Sequence, residues 1–530
     1  MTETQSEKSG GRGLLRSSAV VGAMTMMSRV LGLIRDVVIA GFVGASANAD
    51  AFFVAFKIPN FLRRLFAEGA FAQAFVPVLA DYKEEGSVEA VKHLINRVAG
   101  VLGGTLIVLT GLIILAAPVV TAVFAPGFVS QPEKYQLTVE LIRVTFPYLM
   151  LISMTGFCGA ILNSYGRFAV PAFTPVFLNL SLIASATVAA PYFDEPVFAL
   201  AWGVFLAGII QLLFQLPSLY RLDLVPRPVW DTRDEGVRRI LKLMVPALFG
   251  VSVSQINLLL DTVLASFLPT GSVSWLYYSD RLTELPLGVF GIAIATVILP
   301  NLSAHNAAAR GEQFATTLDW AVRSVLLIAV PAALALLLLA EPILITLFQY
   351  GALTPGDVDM AALSLRAYSL GLAAFMLIKV LAPGFYARKD MMTPVSIGIK
   401  AMVANMVLNL LFVLPLMYFY NVGHVGLALA TSVAAYLNAG LLFRGLRREG
   451  VFRFQPGWGI YSGRLLAATA GMALVVVWLV PDNSVWLAWD WTQRAMQILL
   501  VCGAGVGVYV GLHLLLGTRL SHLRGPRHAS

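Results

Sequence analysis

Charged residues are scarce in this sequence: Asp, Glu, Lys and Arg make up 12% of its 530 residues, whereas 58% are hydrophobic. Together with a mean hydropathy of +0.79, this composition excludes a soluble enzyme with a single membrane anchor and is typical of a polytopic membrane protein. The connections between the apolar stretches are mostly short. They leave no room for a sizeable domain outside the membrane.

Other features with a clear meaning are also missing. The only two cysteines, Cys158 and Cys502, lie in apolar stretches, which argues against a disulfide or a cysteine metal site. The polar start, MTETQSEKSGGRG, is not followed by a short apolar run with a small-residue cleavage site, so we expect no removable signal peptide. No P-loop is visible, which argues against direct ATP drive.

Fourteen apolar segments follow one another along the chain. A helix of about 20 apolar residues crosses a bilayer, and we expect each segment to be a helix because an open strand cannot span lipid. The segments are 17–43, 50–80, 94–122, 137–162, 170–192, 197–220, 240–267, 273–300, 316–347, 361–386, 394–418, 424–443, 461–480 and 494–517.

Basic residues fall almost entirely on one side of these segments. The N-terminus, the even-numbered loops and the tail carry Lys and Arg, whereas the odd-numbered loops carry acids, with Lys134 the clear exception. Because cytoplasmic loops are enriched in Lys and Arg, we expect both termini in the cytoplasm. The same asymmetry accounts for the net charge of +8 without a nucleic-acid partner.

An internal repeat with an offset of about 224 residues covers most of the chain. The motif FAPGF at 124–128 matches FQYGA at 348–352, Asp36 matches Asp261, and Lys57 matches Arg281. Each half would hold six helices, an even number, so the halves share one orientation, as in the parallel repeats of many transporters.

The predicted fold is therefore an all-α polytopic membrane protein with fourteen transmembrane helices. Two six-helix lobes form a parallel pseudo-repeat, and a C-terminal helix pair follows. The predicted parts are a flexible cytoplasmic N-terminus, an N-terminal lobe, a cytoplasmic linker, a C-terminal lobe, helices 13 and 14 forming a lipid-tail groove, and a cytoplasmic tail. In that order their bounds are 1–16, 17–222, 223–239, 240–448, 449–518 and 519–530.

Ionisable residues inside segments one, two and eight are the first functional candidates. A charge at membrane depth costs about 2.5–3.5 kcal/mol on insertion scales, so a simple span would avoid it. A cavity lined by these residues would be net cationic and would favour an anion, and the planar guanidinium group suits phosphate. Structural ion pairs, such as Arg64 with Glu68, are the simpler alternative. The candidates are Arg29, Arg35, Asp36, Asp50, Lys57, Arg63, Arg281 and Glu284.

Two further groups of residues stand out in the same helices and their neighbours. Pro59, Gly69, Pro286 and Gly288 are candidate bends in segments two and eight. A second polar group offers oxygen ligands for a small cation such as Na⁺, although ordinary interhelical hydrogen bonds would use the same side chains. This group consists of Asp261, Asn405, Asn409 and Thr431.

Several long motifs extend this picture. They are SAVVGAMTMMSRVLGLIRDVVIAGFVG, ADAFFVAFKIPNFLRRLFAEGAFAQAFVPVLADY, SVSQINLLLDTVLASFLPTGSVSWLYYSDRLTELPLGVFGIAIATVILP, KVLAPGFYARKDMMTPV and QPGW. From about residue 17 to the C-terminal helix, the chain resembles the bacterial MurJ (MviN) family. The resemblance implies a lipid II flippase of peptidoglycan synthesis, within the MOP transporter superfamily, in the inner membrane.

The resemblance also implies roles for particular residues. The essential cavity arginines of the family correspond to Arg29, Arg35, Arg63 and Arg281, and its acidic cavity residue corresponds to Asp50. The implied substrate is an undecaprenyl-pyrophosphate-linked disaccharide-peptide, which alternating access would move to the outer leaflet. We expect no resident cofactor, and a coupling cation (Na⁺ or H⁺) or the membrane potential would drive transport. Membrane lipids and the cell-wall synthesis machinery are the expected partners.

Three other functions stay open on physical grounds. A flippase for another undecaprenyl-linked glycan would fit a cationic cavity equally well. A cation or drug antiporter would instead favour an acidic cavity. A membrane glycosyltransferase would need a catalytic carboxylate at the membrane surface, helped by a metal or a large outer loop, whereas the outer loops here are short. We therefore expect a transporter and not an enzyme.

Overall fold

The computed structural model describes residues 3–308 and 310–518, with side chains for 20–65, 70–84, 86–246, 248, 255–289, 298–308 and 310–518. All regular structure in these residues is helical. Ten of the described helices are long and apolar enough to cross a membrane. The predicted all-α, multi-pass class is thus confirmed, and the count of fourteen crossings stays a prediction. The predicted tail 519–530 and the side chain of Glu68 lie outside the described residues.

The chain divides into two compact units, Met1–Val273 and Ser274–Ser530. The first unit includes the helix Glu235–Ala265, which the repeat would assign to the second lobe. The lobe boundaries taken from the repeat therefore stay a prediction.

The first unit consists of a run of helices joined by short turns. Its first helix begins at Glu3 and so includes most of the predicted N-terminal segment 1–16. Extending a helix that is already nucleated costs little, which accounts for the early start. The α-helices are Glu3–Val43, Ala47–Leu62, Ala72–Glu85, Val88–Leu115, Ala117–Phe124, Pro132–Thr145, Tyr148–Ser164, Ala169–Phe173, Pro175–Ala184, Val197–Tyr220 and Glu235–Ala265; π-helical turns cover Arg63–Phe71 and Ser185–Ala189, and 3₁₀ turns Pro126–Ser130 and Ala190–Tyr192.

The second unit continues in the same way. Its first helix starts at the end of the first unit, and its last two long helices pack against each other. The α-helices are Ser272–Pro286, Ile292–Ala307, Gly311–Leu338, Ala340–Phe348, Pro355–Tyr386, Met392–Tyr420, Gly423–Arg448, Trp458–Leu479, Asn483–Ala488 and Trp491–Leu515, and a π-helical turn covers Leu287–Gly291.

The helix bounds themselves recur along the chain. The broken pair Val88–Leu115 and Ala117–Phe124 has a counterpart, about 223 residues later, in Gly311–Leu338 and Ala340–Phe348. The π-helical turns that begin at Arg63 and at Leu287 recur with nearly the same spacing. Equivalent residues of the sequence repeat therefore adopt equivalent backbone conformations.

These π-helical turns lie within the charged helices. Pro286 immediately precedes one turn, and Pro59 lies one helical turn before the other. The two predicted bends therefore lie at or next to irregular backbone. Such π-helical turns are rare in proteins, but those that occur are often found at functional sites. The four predicted segments outside the ten described spanning helices are 17–43, 50–80, 240–267 and 273–300.

Each unit has its own apolar core. In the first unit, the rings of Phe71 and Phe75 stack with centroids 5.2 Å apart, and Phe157 lies 5.1 Å from Phe75. In the second, Leu318 and Phe385 are fully buried in a cluster between the helices that contain them. Burial of such side chains contributes about 1.5–3 kcal/mol each.

The predicted linker 223–239 is attached to the helix Val88–Leu115. The backbone amide of Val229 donates to the carbonyl oxygen of Asn96 (2.9 Å), and the amide of Arg227 donates to the Asn96 side chain (2.7 Å). The linker approaches the helix so closely that a Cβ at Gly100 would lie 2.1 Å from the Val229 carbonyl oxygen. Only glycine leaves room for this contact.

Ion pairs reinforce the attachment of the linker. The Arg97 guanidinium contacts Asp234 at 2.5 Å and Asp231 at 3.3 Å. Asp234 also caps the helix Glu235–Ala265 by accepting from the Val237 amide (3.0 Å). Burial alone would raise the pKa of Asp234, but the Val237 and Arg97 hydrogen bonds outweigh it and lower that pKa below its ordinary value. The carboxylate therefore stabilises the fold above its unfolded-state pKa, and this stabilisation is lost as the pH falls through the lower folded-state value.

Replacing Gly100 with Ala should destabilise the protein by about 1–3 kcal/mol, because the new methyl group displaces the linker backbone. The measurement is the thermal unfolding midpoint in detergent. The matched control is Gly111→Ala on the same helix, where a Cβ would meet no atom within 4 Å. An equal midpoint for both variants would contradict the tight contact.

Candidate substrate-binding site

Arg35 is held by two partners inside the first unit. Its Nη2 and Nε both donate to Asp36 Oδ1, at 2.7 and 2.9 Å, and its Nη1 donates to Asn179 Oδ1 at 3.0 Å. Asn179 in turn donates to the carbonyl oxygen of Ser28 (3.0 Å). Arg35 and Asp36 are 8% and 2% exposed. The two predicted site charges thus neutralise each other and join the first helix to the helix Pro175–Ala184.

Sequence reasoning did not select Asn179. It is a single amide in an otherwise apolar helix, and it is 4% exposed. Its role depends on contact with residues about 150 positions away, which neither periodicity nor spacing can indicate. The one available signal in the sequence is that Asn179 is a polar residue within an apolar segment.

The other predicted cations of the first unit are more accessible. Arg29, Lys57 and Arg63 are each partly buried. Arg29 makes no hydrogen bond or ion pair with any side chain that the structure describes, whereas Arg63 Nε donates to Asn60 Oδ1 at 3.4 Å. Arg63 also begins the π-helical turn Arg63–Phe71. Within the described part of the chain, Arg29 thus differs from Arg35, which lies on the same helix and is buried against Asp36.

Asp50 lies in a different environment from the arginines. Its Oδ2 accepts from Lys134 Nζ at 2.9 Å and from the backbone amide of Gly271 at 2.8 Å. Asp50 is 1% exposed and Lys134 is 4% exposed. The ammonium group also lies 4.2 Å from the centroid of the Phe128 ring. This is a buried ion pair, and it connects three separate parts of the first unit.

The same pair explains the exception in the charge pattern. The sequence predicts an outer loop at Lys134, but this residue lies on the helix Pro132–Thr145, where Asp50 neutralises it. The nearby backbone is equally compact, since Gly127 N donates to Ser266 Oγ (3.0 Å) and a Cβ there would lie 2.2 Å from the Ser266 carbonyl oxygen. Lys134 is thus the structural partner of Asp50, a role that its position near a loop does not indicate.

In the second unit, Arg281 pairs with Glu284 across one helical turn. Arg281 Nη1 and Glu284 Oε2 are 2.8 Å apart, and the guanidinium carbon lies 4.8 Å from the Tyr277 ring centroid. The two side chains are 30% and 43% exposed, compared with 10% and 3% for Arg35 and Asp36. Because a partly exposed pair contributes only about 0–1 kcal/mol, a ligand can compete with Glu284 for Arg281.

The proposed cation ligands fall in both units. Asp261 lies on the helix Glu235–Ala265 of the first unit and is partly buried. In the second unit, Asn405 and Asn409 are buried on one face of the helix Met392–Tyr420, and Thr431 lies on the neighbouring helix Gly423–Arg448. Among the described residues there is no group of three or more His, Cys, Asp or Glu that could hold a metal ion.

Comparison with known proteins places these features in a family. The family described as "Lipid II flippase MurJ" matches residues 39–496. The chain belongs to the MurJ family. It is 51% identical to the "Probable lipid II flippase MurJ" of Vibrio cholerae over 96% of this chain and 98% of that protein. It is 41% identical to the "Lipid II flippase MurJ" of Burkholderia cenocepacia over 96% of this chain and 99% of that one. The family predicted from the motifs is confirmed.

Solved structures agree with the MurJ assignment. The fold is similar to "Lipid II flippase MurJ, inward closed conformation" with a TM-score of 0.78 and 26% identity, covering 94% of this chain and 98% of that one. It is also similar, with a TM-score of 0.64, to an inward-facing MATE transporter of the MOP superfamily, covering 82% of this chain and 98% of that one. That second likeness, at 16% identity, concerns the fold alone.

Replacing Lys134 with Met should destabilise the protein by about 3–5 kcal/mol, because it leaves the Asp50 carboxylate buried without its charge partner. Adding Asp50→Asn should recover much of this loss, since an amide oxygen can still accept from Gly271. Unfolding midpoints in detergent measure both effects.

The control for this cycle is Arg239→Gln, which breaks the ion pair with Asp81, whose side chains are 52% and 44% exposed. That change should cost less than about 1 kcal/mol. Additive effects of the Asp50 and Lys134 substitutions would show that the two charges are not energetically coupled.

Proposed function

We propose that this chain moves lipid II, an undecaprenyl-pyrophosphate-linked disaccharide-peptide, from the cytoplasmic to the outer leaflet of the bacterial inner membrane. The observation that carries the proposal is the match, over nearly the whole chain, to proteins described as lipid II flippases. Both termini would be cytoplasmic and fourteen helices would cross the membrane. Alternating access would let the polar head cross about 30 Å of hydrocarbon without entering lipid.

The charges of the described helices suit the pyrophosphate of such a head. Arg29 has no ion-pair partner among the side chains that the structure describes, and the contact of Arg281 with Glu284 is weak enough to be exchanged. Guanidinium groups bind phosphate oxygens through paired hydrogen bonds. We propose that Arg29, Arg63 and Arg281 bind the head directly, with Lys57 adding positive charge.

Arg35 requires a different role, because it is buried and already paired with Asp36. In this proposal Asp36 is the resident counterion of Arg35. Pyrophosphate would displace the Asp36 carboxylate from Arg35 when the lipid enters. The return of this carboxylate to Arg35 would then help to release the lipid. Glu284 would serve Arg281 in the same way, whereas Asp50 would hold the fold through Lys134.

The lipid tail and the energy source belong to other parts of the chain. The C-terminal helices Trp458–Leu479 and Trp491–Leu515 expose large apolar side chains, including Leu474 (73%) and Leu499 (71%), and a polyprenyl chain would lie against them. Buried Asn405 and Asn409, with Thr431 nearby, are the candidate ligands of a coupling Na⁺, with H⁺ or the membrane potential as alternatives. Contact with the cell-wall synthesis machinery is part of the same proposal.

Depletion of this protein in its host is the direct test of function. With labelled lipid II followed in each leaflet, depletion should make lipid II accumulate in the cytoplasmic leaflet. Accumulation of a different undecaprenyl-linked glycan, with normal lipid II distribution, would favour the alternative glycan flippase. Loss of glycan polymerisation with normal translocation would instead favour the glycosyltransferase.

Replacing Arg29 with Glu should abolish lipid II translocation in the depleted host, because it puts a negative charge where the pyrophosphate would bind. The protein should still insert and fold, since no described side chain depends on Arg29. The matched control is Arg221→Glu, a charge reversal at an exposed helix end, which should leave translocation intact. Full activity of Arg29→Glu would refute the assigned role.

A further inference from the structure

A pocket of 530 Å³ in the second unit has no place in the transport proposal. It lies where the helix Gly311–Leu338 meets the segment 455–461 and the end of the helix Trp491–Leu515. Aromatic, charged and hydroxyl side chains surround it. Those that matter for the argument are Asp319, Trp320, Arg323, Arg464, His513 and Thr518.

In one network at this pocket, the charges of Arg323 and Asp319 compensate each other. Arg323 Nε lies 2.8 Å from Asp319 Oδ2, and Arg323 Nη2 donates to the carbonyl oxygen of Gln455 at 2.8 Å. Asp319 Oδ1 accepts from Trp458 Nε1 at 2.7 Å, and its side chain is 3% exposed. This network fixes the segment after residue 454 against the helix Gly311–Leu338. Asp319 is the only carboxylate among the residues that line the pocket, and Arg323 compensates its charge.

Other side chains that line the pocket have hydrogen-bonding groups that are not fully used. Arg464 Nη1 donates to the carbonyl oxygen of Gly517 (3.1 Å), and Arg464 has no carboxylate within ion-pair distance in the part of the chain described. His513 is 7% exposed; its Nδ1 lies 3.1 Å from Thr518 Oγ1, while its buried Nε2 has no partner among the described residues. The buried indole nitrogen of Trp320 also lacks one.

These groups define the chemistry of a ligand. When the Thr518 hydroxyl donates to Nδ1, the His513 Nε2 carries the proton and becomes a donor. The pocket offers one guanidinium charge, an imidazole N–H and an indole N–H, and it has no free carboxylate. This set matches a ligand with a single negative charge and several acceptor oxygens. A phosphate monoanion or phosphodiester meets this description, and Arg binds such groups well.

The position of the pocket indicates the surface of the membrane. Trp320 and Tyr461 line it, and Trp458 packs against Tyr461 with ring centroids 5.4 Å apart. Trp and Tyr side chains concentrate at the boundary between lipid and water. The helix before this segment ends in Arg447 and Arg448, and basic residues of this kind mark the cytoplasmic side.

We propose that this pocket binds a phosphate group at the cytoplasmic surface of the membrane. Arg464 supplies the charge, and His513 and Trp320 supply neutral hydrogen bonds. The group belongs either to an anionic phospholipid head or to free phosphate. The proposal does not rest on lipid II transport, because none of its residues belongs to the transport site.

The test is binding of phosphatidylglycerol to the purified full-length protein, measured by native mass spectrometry in detergent with phosphatidylcholine as the zwitterionic reference. Arg464→Gln should weaken phosphatidylglycerol binding about tenfold, the loss of one charge-assisted hydrogen bond. Arg464→Lys should retain most of the affinity, which separates charge from folding. Arg453→Gln, an exposed arginine in the preceding loop, is the matched control and should bind like the unmodified chain.

Two added arms identify the source of the phosphate. Inorganic phosphate that displaces the lipid at millimolar concentration supports a free-phosphate site, whereas Arg464-dependent lipid binding that phosphate does not affect supports a lipid-head site. Equal phosphatidylglycerol affinity in the unmodified protein and Arg464→Gln would overturn the proposal. So would equal losses in Arg464→Gln and Arg464→Lys.

Discussion

A charge inside a bilayer must find an opposite charge, a hydrogen-bonding partner or water, because exposure to hydrocarbon costs several kcal/mol. Much of the architecture described here follows from that constraint. Two of the charged segments contain the π-helical turns at Arg63–Phe71 and Leu287–Gly291. Phe71 of the first turn is part of the apolar core of the first unit, and Leu287 of the second turn packs against the core of the second unit.

The constraint also separates the charges into two classes. Asp50 with Lys134, and Arg35 with Asp36, are buried pairs whose hydrogen bonds are largely supplied by the protein itself. Arg29 and Arg281 are partly accessible, and their charges are weakly compensated or uncompensated within the described residues. A fold can use the first class to fix its helices and the second to bind an anion. The proposed transport mechanism depends on this difference in burial more than on the number of arginines.

Sequence alone could predict the membrane class, the helical segments and the family, because hydropathy, basic-residue asymmetry and long motifs are local properties. It also predicted bends near Pro59 and Pro286, where the structure has π-helical turns. It could not predict that Asp50 pairs with Lys134 or that Arg35 contacts Asn179, because each contact joins residues far apart in sequence. The contact of the linker with Gly100 could not be predicted for the same reason. A glycine in an apolar helix does not indicate which segment packs against it.

The role of the accessible arginines is most directly tested by the affinity of the purified protein for lipid II. The account predicts that Arg281→Gln weakens lipid II binding about tenfold while the unfolding midpoint stays the same, because the Arg281–Glu284 pair is too exposed to stabilise the fold. It also predicts that an analogue without the pyrophosphate binds both proteins equally weakly. Unchanged lipid II affinity in Arg281→Gln, or tight binding of the analogue without pyrophosphate, would contradict it.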